Sequence, residues 1–412
     1  MLSFMGRDAS EMPSRITGAQ NWSAVRDQHP DQVDAMGRGL LVGDPLADAV
    51  IAEMFSRDDL SWPDVMAALD HPDERDVGFP ALSAFLDVVT TTPPWFKPAL
   101  AAAGAQAWWR FGSLQSGTLY QSLIYGYQAR GFTRPLAQTG RLRTGTWDRV
   151  QATARWVTLA TAPRLMEPGQ AGWVETLRIR LVHAMVRHHL RTEQQWDDTQ
   201  WGVPINQTYS QLTITAGFLI LPLRIAADFG IHYSPAELEA ITHLWRWIGW
   251  VMGVDDELLP HSHADAQLTY QIARQFRMEL SADARVLVRA LLDDGYRTDL
   301  GLPFRLDDAL FLITKPVLKA VFSSISTRWI EPDVARALGL WHSPLHRLVD
   351  LARPVVRSRE VIRAMGLLGS ERQVAQRELR LITSRLGLDL STAAPLVSRY
   401  GSADQGRLEA VT

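Results

Sequence analysis

The sequence predicts an all-α protein built as one large helical domain, on three observations. Apolar residues recur at helical spacing along most of the chain, and capping residues punctuate those runs. Strand signals are poor, with few alternating β-branched stretches and no Asn-Gly hairpin turn. The 412 residues are 46% hydrophobic and 21% charged, an ordinary globular composition. Lys plus Arg is 42 against 45 for Asp plus Glu, so the basic excess of a nucleic-acid binder is missing. Cysteine is absent, which excludes disulfides, Cys-ligated zinc, iron–sulfur clusters, thiolate-ligated heme and cysteine nucleophiles. Only three lysines occur (Lys97, Lys315 and Lys319), which weighs against Schiff-base chemistry.

The elements follow in order. Residues 1–38 are polar, carry Pro13 and Pro30, and read as an irregular arm with no secretory signal. Asp44-Pro45 places a capping aspartate before a proline at the first helical position, and opens a helix through Ile51 and Phe55. Further helices are expected over Pro98 to Trp109, Gly112 to Tyr127, Trp147 to Thr161 and Trp173 to Trp196. Gln207 to Phe229 is nearly all apolar, as in a buried helix, and Pro222 is expected to break or kink it. Ser234-Pro235-Ala236-Glu237 forms a capping box, and Gly253 ends the helix that follows. A charged helix runs from Glu371 to about Leu386, with loose chain beyond Ser391. The division is therefore an arm over 1–38, a main domain over 39–370, and a terminal helix with its tail over 371–412. The longest apolar run, Ala216 to Leu223, is far short of the roughly 20 residues of a membrane span. The expectation is a soluble cytoplasmic protein without a transmembrane segment.

The histidines sort by setting. His29, His71, His261, His263 and His342 lie in loop-like sequence, while His243 reads as a buried structural residue and His188 and His189 are open either way. His183 differs. In Arg180-Leu-Val-His183-Ala-Met-Val-Arg187, the polar residues at i, i+3 and i+7 stack on one helical face, and everything between them is apolar. A solvated face is the plain reading. Should the stripe be partly buried, it needs an anionic partner, because unpaired buried charge is unfavourable by several kcal/mol (roughly). Heme b would meet that need, with His183 on the iron and Arg180 and Arg187 facing the propionates. Upstream, Thr139-Gly140-Arg141-Leu142-Arg143-Thr144 reads as a surface loop, or as one that overhangs a ligand. Asp255-Asp256-Glu257 after a Trp-rich helix raises magnesium-diphosphate binding and a terpene cyclase as a rival, against solvated turn residues. The 15 tryptophans suit a core, and some would suit the wall of an apolar cavity.

Five stretches carry a family resemblance: Gly43-Asp44-Pro45-Leu46-Ala47-Asp48, Thr139-Gly140-Arg141-Leu142, Arg180-x-x-His183-Ala-x-x-Arg187, Trp201-Gly202-Val203-Pro204-Ile205-Asn206-Gln207, and His243-Leu-Trp245 through Met252-Gly253-Val254. In this order, over roughly residues 40–350, the chain resembles the superfamily of latex-clearing proteins (rubber oxygenases) and ER-bound oxygenases. The resemblance implies an all-α, globin-like core with extra helices and one noncovalent heme b. It implies His183 as proximal ligand, Arg180, Arg187 and Arg328 as cofactor-binding arginines, and Arg141, Arg143 or Thr144 as polar groups on the distal side. Which of the two upstream arginines faces the iron stays open. Rubber-cleaving members carry lysine before threonine where this chain has Arg143-Thr144, and arginine stays protonated, so it cannot act as an exchangeable ligand to iron. The implied function is a heme oxygenase using O2 or peroxide on an apolar, unsaturated small molecule, with rubber cleavage disfavoured. A non-catalytic heme carrier or sensor would present the same iron-binding residues.

Overall fold

A computed structural model describes residues 8–72, 74, 77–138, 145–193, 195–295 and 304–388, which fold as helices joined by short loops. No strand occurs among the described residues; the one extended pairing is an isolated bridge between Ala19 and Met278. Ten helices carry the argument: α1 (Pro45–Ser56), α2 (Pro98–Trp108), α3 (Gln115–Gly126), α4 (Thr146–Thr161), α5 (Ala171–Thr192), α6 (Gln207–Phe229), α7 (Pro235–Val251), α8 (Phe304–Ser326), α9 (Leu348–Ala364) and α10 (Glu371–Leu386).

The start signals act as expected. Asp44 caps α1 by accepting from the Ala47 N–H at 3.2 Å. Ser234 and Glu237 form the reciprocal capping box of α7, and Gly253, at φ +89°, follows its end. Helix α6 runs through Pro222 without a break. Its middle, Thr213–Ile220, is wound as a π-helix, and α-winding resumes at Leu221. Pro222 thus falls in the first turn of the resumed helix, where a missing N–H matters least. By length and composition α6 is long and apolar enough to cross a bilayer, yet Ile214, Ala216, Leu219 and Ile220 are buried in the protein core.

Both ends of the described chain are helical and packed. Within the stretch expected as an irregular arm, the described residues form helices at Asp8–Thr17, Trp22–Gln28 and Pro30–Gly39. They bury Ile16, Trp22, Val33 and Met36 in a small second core with Tyr209 and Ile272. Pro30 opens its helix at the first position and breaks nothing. Helix α10, expected from the sequence, packs on the main domain, with Ala375, Leu379 and Ile382 in the main core. It lies over Gly112 (φ +65°), where a Cβ would stand 2.5 Å from the Glu378 carboxylate. The expected loose tail beyond Ser391 lies outside the described residues.

The core is tied by close helix crossings. Helices α2 and α7 meet at Gly104, where a Cβ would sit 2.1 Å from the Ala240 carbonyl oxygen. Helices α4 and α5 meet at Gly172, and Trp156 Nε1 donates to Thr176 Oγ1 at 3.0 Å across the same contact. Inside, Trp245 stacks on Phe218 and meets Trp108 and Trp156 edge-on. Replacing Gly104 by Ala should lower unfolding free energy by about 1–3 kcal/mol in a denaturant titration. Gly117, in α3 with nothing within 4 Å of its virtual Cβ, gives the opposite sign: Gly117→Ala should stabilise by about 0.5–1 kcal/mol.

Candidate functional site

Helix α5 places Arg180, His183 and Arg187 on one face, as the spacing requires. The face is not solvated: Arg180 is 6% and Arg187 3% exposed, and His183 is half-buried. The anions that such a stripe demands come from within the chain, from the first turn of α1. Arg180 Nε donates to Asp44 Oδ2 at 2.6 Å and Nη2 to Asp44 Oδ1 at 3.0 Å, a bidentate pair with both side chains buried. Its Nη1 donates to the Val251 carbonyl at 3.3 Å. Arg187 Nε donates to Asp48 Oδ1 at 2.7 Å and Nη1 to the Ile205 carbonyl at 3.3 Å. The fork of Arg180 is thereby committed to Asp44 and not to a ligand. Arg187 Nη2 is buried without a hydrogen-bond partner among the described residues.

Three loops converge on these pairs. Gly253 lets the end of α7 approach so closely that a Cβ would lie 2.3 Å from Asp44 Oδ2 and 2.5 Å from Arg180 Nε. Gln207, at the start of α6, donates from Nε2 to the carbonyls of Gly43 (2.7 Å) and Gly253 (2.8 Å), and its Oε1 accepts from the Asp255 N–H at 2.9 Å. One amide side chain thus joins the α1, α6 and α7 loops. Ile205, whose carbonyl receives Arg187, holds φ +50°, a left-handed conformation that a β-branched residue adopts only under constraint.

His183 occupies the gap between the two ion pairs. No hydrogen bond among the described residues engages its imidazole. Burial, then the neighbouring Arg187 charge, lowers its pKa to about 4 against a weaker opposing pull from Asp44, so the ring is neutral at pH 7. A neutral, unpartnered imidazole is the form that binds metal. Among the described residues no group of three or more His, Asp or Glu could hold a bare ion. A metal at His183 would therefore need a cofactor to supply its other ligands.

The other expected site residues lie elsewhere. Arg141, Arg143 and Thr144 fall outside the described residues. Arg328, just past α8, is held by two carboxylates: Asp228 near the end of α6 (2.9 and 3.0 Å) and Asp350 of α9 (3.0 and 3.1 Å). None of its partners is on α5, so the structure does not group it with His183. His243 is structural, accepting from the Lys97 N–H at 2.9 Å while stacked on Phe96. His188 stacks on Phe55, and His189 pairs with Glu193. The acidic turn after α7 is engaged: Asp255 caps the short helix Asp256–Leu258, Asp256 pairs with Arg246, and Glu257 with Arg38. Those carboxylates already have partners, which removes the motif behind a terpene cyclase. Sequence reasoning missed Asp48 and Gln207 as partners, and saw Asp44 only as a cap.

Residues 99–364 match the family model for the catalytic domain of "ER-bound oxygenase mpaB/B'/Rubber oxygenase". The rubber oxygenase of Streptomyces sp. (strain K30) is 25% identical over 324 residues, covering 76% of this chain and 75% of that protein. The solved structure of latex clearing protein LCP in its closed state superposes with a TM-score of 0.60 at 22% identity, over 83% of this chain and 91% of the other.

Two measurements probe the geometry. Asp44→Ala leaves Arg180 buried without its anion and removes a helix cap, so denaturant unfolding should show a loss of about 3–5 kcal/mol. His183 binds a proton in the unfolded chain near its ordinary value of 6.5, but in the fold only near pH 4. The unfolded state therefore holds the extra proton between those values, and His183 makes stability fall as pH drops from 6.5 to 4. His183→Gln should flatten that part of the stability–pH curve relative to the unaltered protein.

Proposed function

Since the chain belongs to the family of mpaB/B'-type ER-bound oxygenases and rubber oxygenases, we propose that it is a heme b-dependent oxygenase with His183 as the axial protein ligand. One observation carries the reading: a neutral imidazole without a hydrogen bond, set between two deeply buried, ion-paired arginines. Bound heme would supply iron able to activate O2 or peroxide. The residues of this chain do the rest. The Asp44–Arg180 and Asp48–Arg187 pairs fix α5 against α1, which sets the direction of the His183 ring. Arg187 Nη2 keeps a buried N–H donor for a carboxylate of the cofactor, whereas Arg180 serves by holding the helix. Low proton affinity keeps the His183 lone pair available at any pH well above about 4.

Arg141, Arg143 and Thr144 are our candidates for the polar groups that hydrogen-bond the oxidant on the opposite side. Arg143 cannot leave and rejoin a metal as a neutral lysine amine can, which favours a different substrate from that of the rubber-cleaving relatives. The substrate class is an apolar, unsaturated small molecule. The interior supports this with the aromatic group of Trp108, Trp156, Phe218 and Trp245, and with buried Gln211 Oε1 and Thr215 Oγ1 on α6, which lack partners among the described residues.

The test is optical first and chemical second. Hemin added to the purified protein should give a one-to-one Soret absorption that persists through gel filtration, and His183→Ala should weaken binding or change the spectrum. Absence of a Soret band in the unaltered protein, or an identical one in His183→Ala, overturns the assignment. Substrate-dependent O2 or peroxide consumption by the loaded protein would separate an oxygenase from a passive heme carrier.

A further inference from the structure

Helix α9 presents a broad apolar stripe to solvent. Two of its arginines reach inward, Arg353 to Asp228 at 2.6 Å and Arg359 to Glu378 at 2.8 Å, while Arg363 and Glu360 pair along the helix itself at 2.9 Å. Val349 is buried and Val356 packs on the core, but the other large apolar side chains of α9, with Met365 just past its end, turn to water. Leu351 is 71% and Val355 72% exposed, and Leu348, Val361, Ile362 and Met365 are exposed with them. At 100° per residue these six share an arc of roughly 140°, the width of an amphipathic apolar face. On a helix of a fully hydrated surface this arc would be polar, so the exposed stripe marks a contact.

The surrounding charge identifies the contact. Residues 341–388 hold nine arginines against four carboxylates, whereas the remainder of the chain is net −8. Arg347 and Arg357 are exposed on α9's own stretch and have no carboxylate partner among the described residues. A second copy of the chain meeting along this face would oppose two positively charged stretches. An anionic surface of low polarity suits both features.

We propose that α9 docks the protein on an anionic lipid bilayer. It lies in the interface plane, with the apolar arc at the acyl boundary and the flanking arginines at headgroup phosphates. At 17 residues the helix is about 25 Å long, enough to lie along the interface and too short to cross it. None of these residues belongs to the His183 site, so this proposal stands or falls apart from the cofactor assignment.

The experiment is vesicle flotation of the full chain with phosphatidylcholine alone and with added phosphatidylglycerol. The protein should float with the anionic vesicles, more weakly as salt is raised, and remain in solution with phosphatidylcholine alone. Leu351→Asp combined with Val355→Asp should reduce partitioning by more than about tenfold, with circular dichroism and the thermal midpoint unchanged because both side chains are exposed. Met365→Asp repeats the test at the other end of the arc should the double variant fold poorly. Failure of the unaltered protein to float, equal binding to both vesicle types, or undiminished binding by the variants overturns the proposal. So does a solution dimer that the Leu351 and Val355 changes dissociate, which would make the arc a self-association face.

Discussion

The buried pair between Asp44 and Arg180 is the constraint on which the rest of the site depends. Neither group could be buried alone, since an uncompensated charge in the interior is unfavourable by several kcal/mol (roughly). Together they fix four things. Asp44 caps α1, Arg180 is held on α5, the guanidinium reaches the Val251 carbonyl at the end of α7, and Gly253 must lack a side chain to let them meet. The Asp48–Arg187 pair repeats the arrangement two turns further along α5. Between these two clamps the His183 imidazole has its direction set without a hydrogen bond of its own. That is how a fold can hold an imidazole in place and still leave its lone pair free.

The electrostatics follow from the same geometry. Burial opposes protonation of His183, and the Arg187 charge beside it adds to the opposition, so the ring stays neutral across the physiological range. The positive charge that disfavours a proton on the imidazole would favour an acidic ligand near Arg187.

Local chemistry in this chain was readable and long-range chemistry was not. The caps at Asp44 and Ser234, the end at Gly253 and the shared face of Arg180, His183 and Arg187 involve residues a few positions apart, and each is as the spacing requires. The partner of Arg180 is 136 residues away and those of Arg328 are 100 and 22 away, so spacing says nothing about them. Spacing implied an anionic partner for a buried stripe, but it could not show that Asp44 and Asp48 of α1 lie against Arg180 and Arg187. Gln207 gave no signal, because an amide near a helix start has many roles and its three loops are brought together only by the fold. The N-terminal helices were missed because prolines were read as breakers, although Pro30 stands where a helix tolerates one.

The π-wound middle of α6 has a consequence for how one helix serves two clusters. Each wide turn holds an extra residue, which shifts the angular phase of everything downstream by about 100° relative to continuous α-winding. Before the shift, Gln207 points into the junction of Gly43, Gly253 and Asp255; after it, Asp228 points to Arg328 and Arg353. Thr213–Ile220 therefore works as a swivel in the sequence-to-face mapping, letting a single rod address two separate ionic junctions without a bend or a break. Shortening that turn by one residue would rotate the second junction out of alignment while leaving the first untouched.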